Sequence, residues 1–372
     1  MSRIYEEHRS GNYERRGMIS IDELKELANG NVRSLASHLL PNGRENCGFW
    51  EVGSIAGEKG QSLKVNLTGN NRGLWTDFSA AKGSPGYSGN LIQLTAHVMF
   101  GGDVGDAIRY LKSWLGIDDM DPERLAKVKA RAVQQARDHA KEAAKEREKK
   151  RARAHQLFLS GVPIPGTPAE AYLCERGIDL RGAGMAAPGS LRFHPEVWCA
   201  EVHRKLPAML AAIVGLDGRH LGTHRTYLRA DGRDKAQLGE AKKALGNFKS
   251  GFIPLWKGAQ RCSMKDLKPG TRIYASEGIE DGLSVALVRR PERIIAAVSL
   301  SNIGNLDLAD RCPLYILGQR DEKLQAIEAL EAAVARHQEA GREVFLVTPP
   351  EGFKDYNAPI DRRGKGRVRD GK

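Results

Sequence analysis

The strongest constraint on the fold lies after Pro269, where strand-like and helix-like segments alternate. Strand-like runs cover residues 272–275, 293–298, 314–317 and 343–347, and helix-like runs cover residues 279–290 and 322–340. This alternation predicts right-handed crossovers and a mainly parallel sheet with helices on its faces. Ligands collect at the carboxyl ends of such strands. The polar residues that follow each strand are therefore the first candidates for a functional site.

Carboxylates follow three of these strands. Glu277 lies just past the first strand and Asp281 one helical turn later, while Asp321 follows residues 314–317 and Asp355 follows residues 343–347. Hard cations take oxygen ligands and share them with phosphate and water, so the cluster predicts a Mg²⁺ site. For any single acid, the alternative is a helix cap, because negative charge is favourable at a helix amino terminus. For the whole set, the metal site is the preferred interpretation.

Three segments carry a family resemblance: EGIEDG at residues 277–282, LYILGQRD at 314–321 and PPEGFKD at 349–355. They resemble the Toprim domain shared by bacterial and phage primases, topoisomerases and some nucleases. Residues 297–306 resemble the turn segment between its acidic motifs. The resemblance implies a Rossmann-like α/β domain over residues 269–360, with Mg²⁺ or Mn²⁺ as cofactor. It implies the catalytic residues Glu277, Asp281 and Asp321, and the metal ligands Glu277, Gln319, Asp321 and Asp355.

Gln319 is a departure from the family pattern, which reads Asp-x-Asp in the second acidic motif. An amide still offers one oxygen to a cation but removes a full negative charge. We therefore expect weaker Mg²⁺ binding, and less neutralisation of charge in a phosphoryl-transfer transition state.

More of the chain resembles the Toprim primase-like proteins of phages, prophages and mobile elements. Residues 171–178, 191–195 and 222–228 resemble the basic subdomain that precedes their Toprim domain, and residues 75–94 resemble the remains of a primase zinc-binding domain. At the positions of the zinc ligands this chain has Asn46, Gly48, Asp77 and the glycine-rich residues 83–89. The resemblance therefore implies a zinc-ribbon-like domain without bound zinc.

The formal net charge of +12 favours a polyanionic partner, either nucleic acid or an anionic membrane surface. Basic residues accompany a predicted hairpin over residues 210–228 and continue beyond it. We predict nucleic-acid contacts at Arg225, Arg229, Lys242, Lys243, Lys249 and Lys354, against the alternative of an ordinary basic surface. Residues 121–154 alternate Lys and Arg with Glu and Ala, which predicts a solvated helical linker, with DNA contact near residues 149–153 as the alternative.

The fold class predicted for the whole chain is multidomain α+β. A helix starting at about Ile21 behind a capping Ser20, short alternating runs at residues 49–52, 62–67 and 74–78, and two further helices predict a small amino-terminal domain with an antiparallel sheet. The predicted organisation is a polar tail (1–18), an α+β domain (19–118), a charged helical linker (119–158), a basic subdomain (159–268), a Toprim domain (269–360) and a basic tail (361–372).

The five cysteines are scattered without a CxxC pair, which predicts free thiols in a reducing compartment. No segment approaches the roughly 20 apolar residues of a membrane span, and residues 1–16 lack the apolar core of a secretory signal. We therefore expect a cytoplasmic protein with no membrane partner.

The leading functional hypothesis is a primase-like nucleotidyltransferase in mobile-element replication. Single-stranded DNA would lie in the basic groove, and Mg²⁺ would bridge nucleoside triphosphates to the acids. The chain has no GxxxxGK[ST] loop, so a helicase would be a separate partner. The alternatives are a non-catalytic single-stranded DNA-binding Toprim scaffold, favoured by Gln319, and a Toprim nuclease that uses the same acids.

Overall fold

The computed structural model of this chain describes residues 19–69, 71–117, 122–319, 324–349, 351 and 356–357. The chain divides into two compact units, with the boundary between Glu146 and Arg147. Each unit has its own apolar core. Within the described residues, no helix is both long and apolar enough to cross a membrane.

The amino-terminal unit is built on a five-stranded antiparallel sheet in the order β1-β2-β3-β4-β5. Ser20 and Glu23 form a capping box, which confirms the predicted start of the first helix at about Ile21. The predicted antiparallel sheet is also confirmed. The elements are α1 (Ile21–Gly30), α2 (Val32–Leu39), β1 (Arg44–Asn46), β2 (Phe49–Val52), β3 (Leu63–Asn66), β4 (Trp75–Asp77), β5 (Ser88–Gly89), α3 (Leu91–Met99) and α4 (Val104–Trp114).

Two residues at the positions of the zinc ligands make hydrogen bonds within this unit. Asp77 Oδ1 accepts from the Ser79 backbone N–H at 2.9 Å, and the Asn46 amide donates to Glu51 Oε2 at 3.1 Å. Over the part of the chain that the structure describes, no group of three or more His, Cys, Asp or Glu side chains could hold a metal ion. Trp75 of the same sheet is buried, and its indole N–H donates to the Asn90 carbonyl at 3.0 Å.

A helix of 39 residues, α5 (Pro122–Ser160), crosses the boundary between the two units. It includes residues 122–158 of the predicted helical linker and ends two residues past it. Its last turns belong to the carboxyl-terminal unit, where Ala154 and Phe158 are buried and the Ala154 carbonyl accepts from the Thr223 hydroxyl at 2.7 Å. Lys149, Lys150 and Arg153 are exposed. The end of α5 is therefore part of a packed core rather than a solvated linker.

The carboxyl-terminal unit contains a second antiparallel sheet in the order β10-β9-β8-β7-β6. The pairing of β8 with β9 confirms the predicted hairpin. β7 was not predicted from its pattern, because Pro195 and an irregularity between His194 and Val197 interrupt its alternation. The elements are β6 (Val162–Pro163), α6 (Pro168–Glu175), β7 (Leu191–Cys199), β8 (Arg204–Val214), β9 (His220–Tyr227) and β10 (Lys242–Gly246).

The third sheet has the order β11-β13-β12-β14-β15. β13, β12, β14 and β15 run parallel, which confirms the predicted parallel sheet, and β11 adds an antiparallel edge through its pairing with β13. The elements are β11 (Ile253–Trp256), β12 (Ile273–Ser276), α7 (Ile279–Val288), β13 (Arg293–Ala296), α8 (Leu300–Ile303), β14 (Leu314–Leu317), α9 (Leu324–Glu339) and β15 (Val344–Val347).

One apolar core joins the second and third sheets within the carboxyl-terminal unit. Tyr172 of α6, Met209 of β8 and Leu255 of β11 pack in the same cluster as Leu283 of α7. Because these residues come from both sheets, the carboxyl ends of β12 and β14 lie beside the antiparallel second sheet. A cavity at that junction is the candidate site.

Candidate functional site

A cavity of about 300 Å³ opens where the end of β12 and the start of α7 meet the antiparallel sheet. Its acidic residues come from the third sheet and α7, and its basic residues come from the end of α6, β9 and β10. The lining residues are Arg176, His224, Lys242, Ile253, Glu277, Gly278, Ile279, Glu280, Asp281, Val298 and Gln319.

The turn from β12 into α7 places Glu277 at the cavity. All four residues of β12 are buried, and the Ser276 hydroxyl donates to the Gly278 carbonyl at 2.7 Å. The Glu277 carbonyl accepts from the Val298 backbone N–H at 3.0 Å. Val298 has a φ of 75°, in the left-handed region that a β-branched residue rarely adopts. Such local strain clusters at functional sites, and here it occurs on the cavity wall.

Asp281 is nearly buried in the first turn of α7. Its Oδ2 accepts from the Gln319 amide at 2.9 Å, and its Oδ1 accepts from the Tyr356 backbone N–H at 3.2 Å. Gln319 follows β14, so the ends of two neighbouring parallel strands meet at this carboxylate. The structure therefore brings together Glu277 and Asp281, which are predicted to lie at one edge of the sheet, and Gln319, which the family resemblance implies as a metal ligand.

Glu280 is a member of the site that sequence reasoning missed. It is buried, and it accepts hydrogen bonds from the Tyr172 hydroxyl at 2.6 Å and from Lys242 Nζ at 2.8 Å. Burial alone would raise the pKa of this carboxyl, but the Lys242 charge and the two hydrogen bonds outweigh it and lower the pKa to about 2. Glu280 is therefore ionised at neutral pH and holds Lys242 at the cavity.

His224 was also missed as a site residue. Its ring lies on β9 and is buried against the cavity, and among the described residues its Nδ1 has no hydrogen-bond partner. Burial and the neighbouring Lys242 and Arg225 charges lower the pKa of His224 to about 4, although Glu280 acts in the opposite direction. The imidazole is therefore neutral at physiological pH. No local sequence signal separates His224 from an ordinary core histidine, because its environment is created by distant residues.

Comparisons with known families assign both parts of the carboxyl-terminal unit. Residues 148–255 match a family described as a domain of unknown function (DUF7146). Residues 272–366 match the family described as the Toprim domain. This chain carries a Toprim domain. The resemblance predicted from its acidic segments is thereby confirmed, and the cavity lies at the edge of that domain.

No curated protein matches the chain in sequence. Among solved structures, it is similar to the zinc binding and RNA polymerase domains of the Aquifex aeolicus primase, with 16% identity, coverage of 94% of this chain and 83% of that chain, and a TM-score of 0.38. For a DnaG primase catalytic domain bound to ssDNA, the identity is 14%, the coverage 60% and 77%, and the TM-score 0.39. For the primase fragment of the bacteriophage T7 primase-helicase protein, the identity is 14%, the coverage is 51% of this chain and 55% of that chain, and the TM-score is 0.30. At these TM-scores the similarity does not extend to function.

The Toprim side chains at the cavity offer oxygen atoms, the type of ligand that a hard cation such as Mg²⁺ prefers. Glu277 and Asp281 supply carboxylates and Gln319 supplies an amide oxygen at one cavity. Glu280 is a poorer candidate ligand than Asp281, because its charge is already paired with Lys242 Nζ at 2.8 Å. The predicted ligands Asp321 and Asp355 lie outside the described residues.

The predicted nucleic-acid contacts divide between the two faces of the antiparallel sheet. Lys242 lies at the cavity, whereas the neighbouring Lys243 is paired directly across from Arg225 and forms an ion pair with Glu201 at 2.9 Å. Arg229 pairs with Asp231 at 3.1 Å, and Lys249 is exposed. Lys354 lies outside the described residues. Of the described members of this set, Lys242 alone lines the cavity beside the Toprim acids.

Proposed function

We propose that this protein is a primase-like nucleotidyltransferase that binds single-stranded DNA and nucleoside triphosphates and synthesises primers. One observation carries the proposal: a single cavity combines the Toprim acids Glu277 and Asp281 with the basic side chains of Lys242 and Arg176. Nucleotidyl transfer needs both, because a divalent cation and cationic side chains must share the charge of the reacting phosphates.

Each side of the cavity has a role in this proposal. A Mg²⁺ or Mn²⁺ ion held by Glu277, Asp281 and Gln319, together with Asp321 and Asp355, would neutralise phosphate charge and lower the pKa of an attacking hydroxyl. Lys242, fixed by Glu280, orients a phosphate from the opposite side. The net charge of +12 favours association with the DNA template. A role in mobile-element replication, with a separate helicase, belongs to the same proposal.

The test is primer synthesis on single-stranded DNA with labelled nucleoside triphosphates and Mg²⁺ or Mn²⁺. We expect labelled oligonucleotides from the full chain, and loss of at least about a hundredfold of product with Glu277→Gln, because one carboxylate of the charge-neutralising set is removed. Glu339→Gln is the matched control, since Glu339 is exposed at the end of α9. Equal product from Glu277→Gln and the wild type would overturn the proposal.

A specific observation favours a second candidate, a non-catalytic single-stranded DNA-binding scaffold. Gln319 donates to Asp281, so a neutral amide joins the two motifs where the family pattern has a second carboxylate. In the same assay, the scaffold predicts DNA binding without product, and no product after Gln319→Asp. Product that increases with Gln319→Asp would favour the nucleotidyltransferase.

A further inference from the structure

We infer that His224 contacts the ligand of this cavity and donates a hydrogen bond to a phosphate oxygen beside Lys242 and Arg176. The inference rests on the proposed function in one respect, the presence of a polyphosphate in the cavity. It assigns a contact to the DUF7146 part of the chain, since residues 148–255 include His224 but no Toprim acid.

The His224 ring is buried beside the cavity and one of its nitrogens is unsatisfied. His224 is 7% exposed and lies on β9 between Ala211 of β8 and Ala244 of β10, yet Nδ1 has no hydrogen-bond partner among the described residues. An apolar side chain of similar size would avoid the free-energy cost of burying an unsatisfied nitrogen. The polar ring therefore costs stability in the free protein. Because Nδ1 is sealed from solvent, a ligand in the adjoining cavity would meet the other ring nitrogen, Nε2.

His224 shares the cavity with two basic side chains, Lys242 and Arg176. Lys242 Nζ is fixed by Glu280, which is itself fixed by the Tyr172 hydroxyl. Arg176 lines the same wall, and its buried Nε lacks a partner within the described part of the chain. The amino terminus of α7 also opens here, and Gly278 offers it no side-chain cap. Lys242, Arg176 and His224 therefore line one small cavity, which suits a ligand with many acceptor oxygens.

The charges of His224 and of the acids at the same cavity restrict the kind of ligand that can bind. His224 is neutral at physiological pH, so it contributes a hydrogen bond without adding charge, and a neutral imidazole has one N–H donor. Glu277 and Asp281 on the opposite wall would repel a bare anion. The chemistry therefore favours a polyphosphate accompanied by a divalent cation. Two sources share this chemistry: the triphosphate of a nucleotide and the phosphodiesters of single-stranded DNA.

The test uses His224→Leu, His337→Leu and the wild-type full chain. Two quantities are measured for each protein: unfolding in denaturant without ligand, and affinity for inorganic tripolyphosphate with Mg²⁺. His337 is the matched control, because it is similarly buried but is hydrogen-bonded to the Ile303 carbonyl at 2.8 Å. We expect His224→Leu to unfold at the wild-type denaturant concentration or higher, and to bind tripolyphosphate at least about tenfold more weakly. We expect His337→Leu to unfold earlier and to bind normally.

Two results would overturn the inference: tripolyphosphate affinity unchanged in His224→Leu, or equal losses of affinity in both variants. If His224→Leu does not fold, His224→Gln takes its place, and we expect it to bind tripolyphosphate more weakly than wild type, because its amide donor lies at a different position from the imidazole N–H. A parallel titration with a thymidine oligonucleotide distinguishes the two sources. If the cavity binds the triphosphate of a nucleotide, His224→Leu lowers the affinity for tripolyphosphate alone. If it binds the DNA template, His224→Leu also lowers the affinity for the oligonucleotide. No catalysis is required, so failure of primer synthesis would leave this result interpretable.

Discussion

At the scale of single residues, the hydrogen bond from Gln319 to Asp281 joins the two segments that would hold the proposed cation. Gln319→Asp should place a second carboxylate beside Asp281. Without a divalent cation, we expect the free energy of unfolding to fall by about 1 to 3 kcal/mol, through like-charge repulsion and the lost hydrogen bond. Added Mg²⁺ should restore it. Denaturant unfolding in EDTA and in Mg²⁺ measures both effects.

Gln319→Ala is the control for this substitution, because it removes the hydrogen bond without adding charge. Its stability should respond to Mg²⁺ no more than the wild type does. If Gln319→Asp were equally stable in EDTA and Mg²⁺, the Asp281 and Gln319 side chains would not belong to a cation site.

Lys242 and Lys243 are neighbours on β10 with carboxylate partners of very different exposure. The Glu280 side chain is 7% exposed, and the Glu201 side chain is 32% exposed. Lys242→Met leaves a buried charge without its cation, so we expect a loss of about 3 kcal/mol in the free energy of unfolding. Lys243→Met should cost about 1 kcal/mol or less, because its pair is solvated. Similar losses in the two variants would show that Glu280 is not a buried partner of Lys242.

His224 and Glu280 together predict acid sensitivity. The pKa of His224 is lowered from 6.5 to about 4, so as pH falls through this window the unfolded chain binds a proton that the folded chain does not, and stability decreases. The pKa of Glu280 is lowered from 4.5 to about 2, so its contribution is present above pH 4.5 and is lost below it. Between pH 7 and pH 4.5, the free energy of unfolding should fall in both proteins. We expect the fall in His224→Leu to be smaller than that in wild type by up to about 3 kcal/mol. If the free energies of unfolding of wild type and His224→Leu fell equally with pH, the lowered pKa of His224 would be contradicted.

At the scale of elements, the packing of α7 on the parallel sheet depends on Gly282. A Cβ at this position would contact Leu255 Cδ1 and lie 2.6 Å from Ser276 Oγ. Gly282→Ala should therefore destabilise the carboxyl-terminal unit by about 1 to 3 kcal/mol, despite the better helix propensity of alanine. Thermal unfolding measures the effect. Gly105→Ala in α4 is the helical control, because there a Cβ meets only a side-chain oxygen at 3.2 Å, and it should be nearly neutral.

The elements that could be predicted are those with a strong local pattern. The alternation after Pro269 gave the parallel strands β12 to β15, and Ser20 gave the start of α1. β11 could not be predicted, because its four residues carry no period of their own and are fixed by pairing with β13. The end of α5 was read as solvated because its burial depends on β9, more than 60 positions away.

The candidate site was predictable only in part, for the same reason. Glu277, Asp281 and Gln319 follow strands, and a parallel sheet brings such positions together. Glu280 and His224 acquire their properties from contacts across the two sheets, with Tyr172 lying 108 positions from Glu280. Local pattern cannot encode such a contact.

At the scale of the whole molecule, the chain joins an amino-terminal α+β unit to a carboxyl-terminal unit through α5. The carboxyl-terminal unit combines two matched families, and its cavity takes residues from both. The proposed catalytic centre therefore draws side chains from both parts of the carboxyl-terminal unit.

The most direct measurement is extension of an annealed primer by one nucleotide in a single turnover, which isolates the transfer step from initiation. The wild type and Glu339→Gln should extend the primer and release pyrophosphate at the same rate, and Glu277→Gln should be slower by about a hundredfold or more. Binding of DNA and nucleotide by the wild type without any extension, in Mg²⁺ or Mn²⁺, would contradict the account.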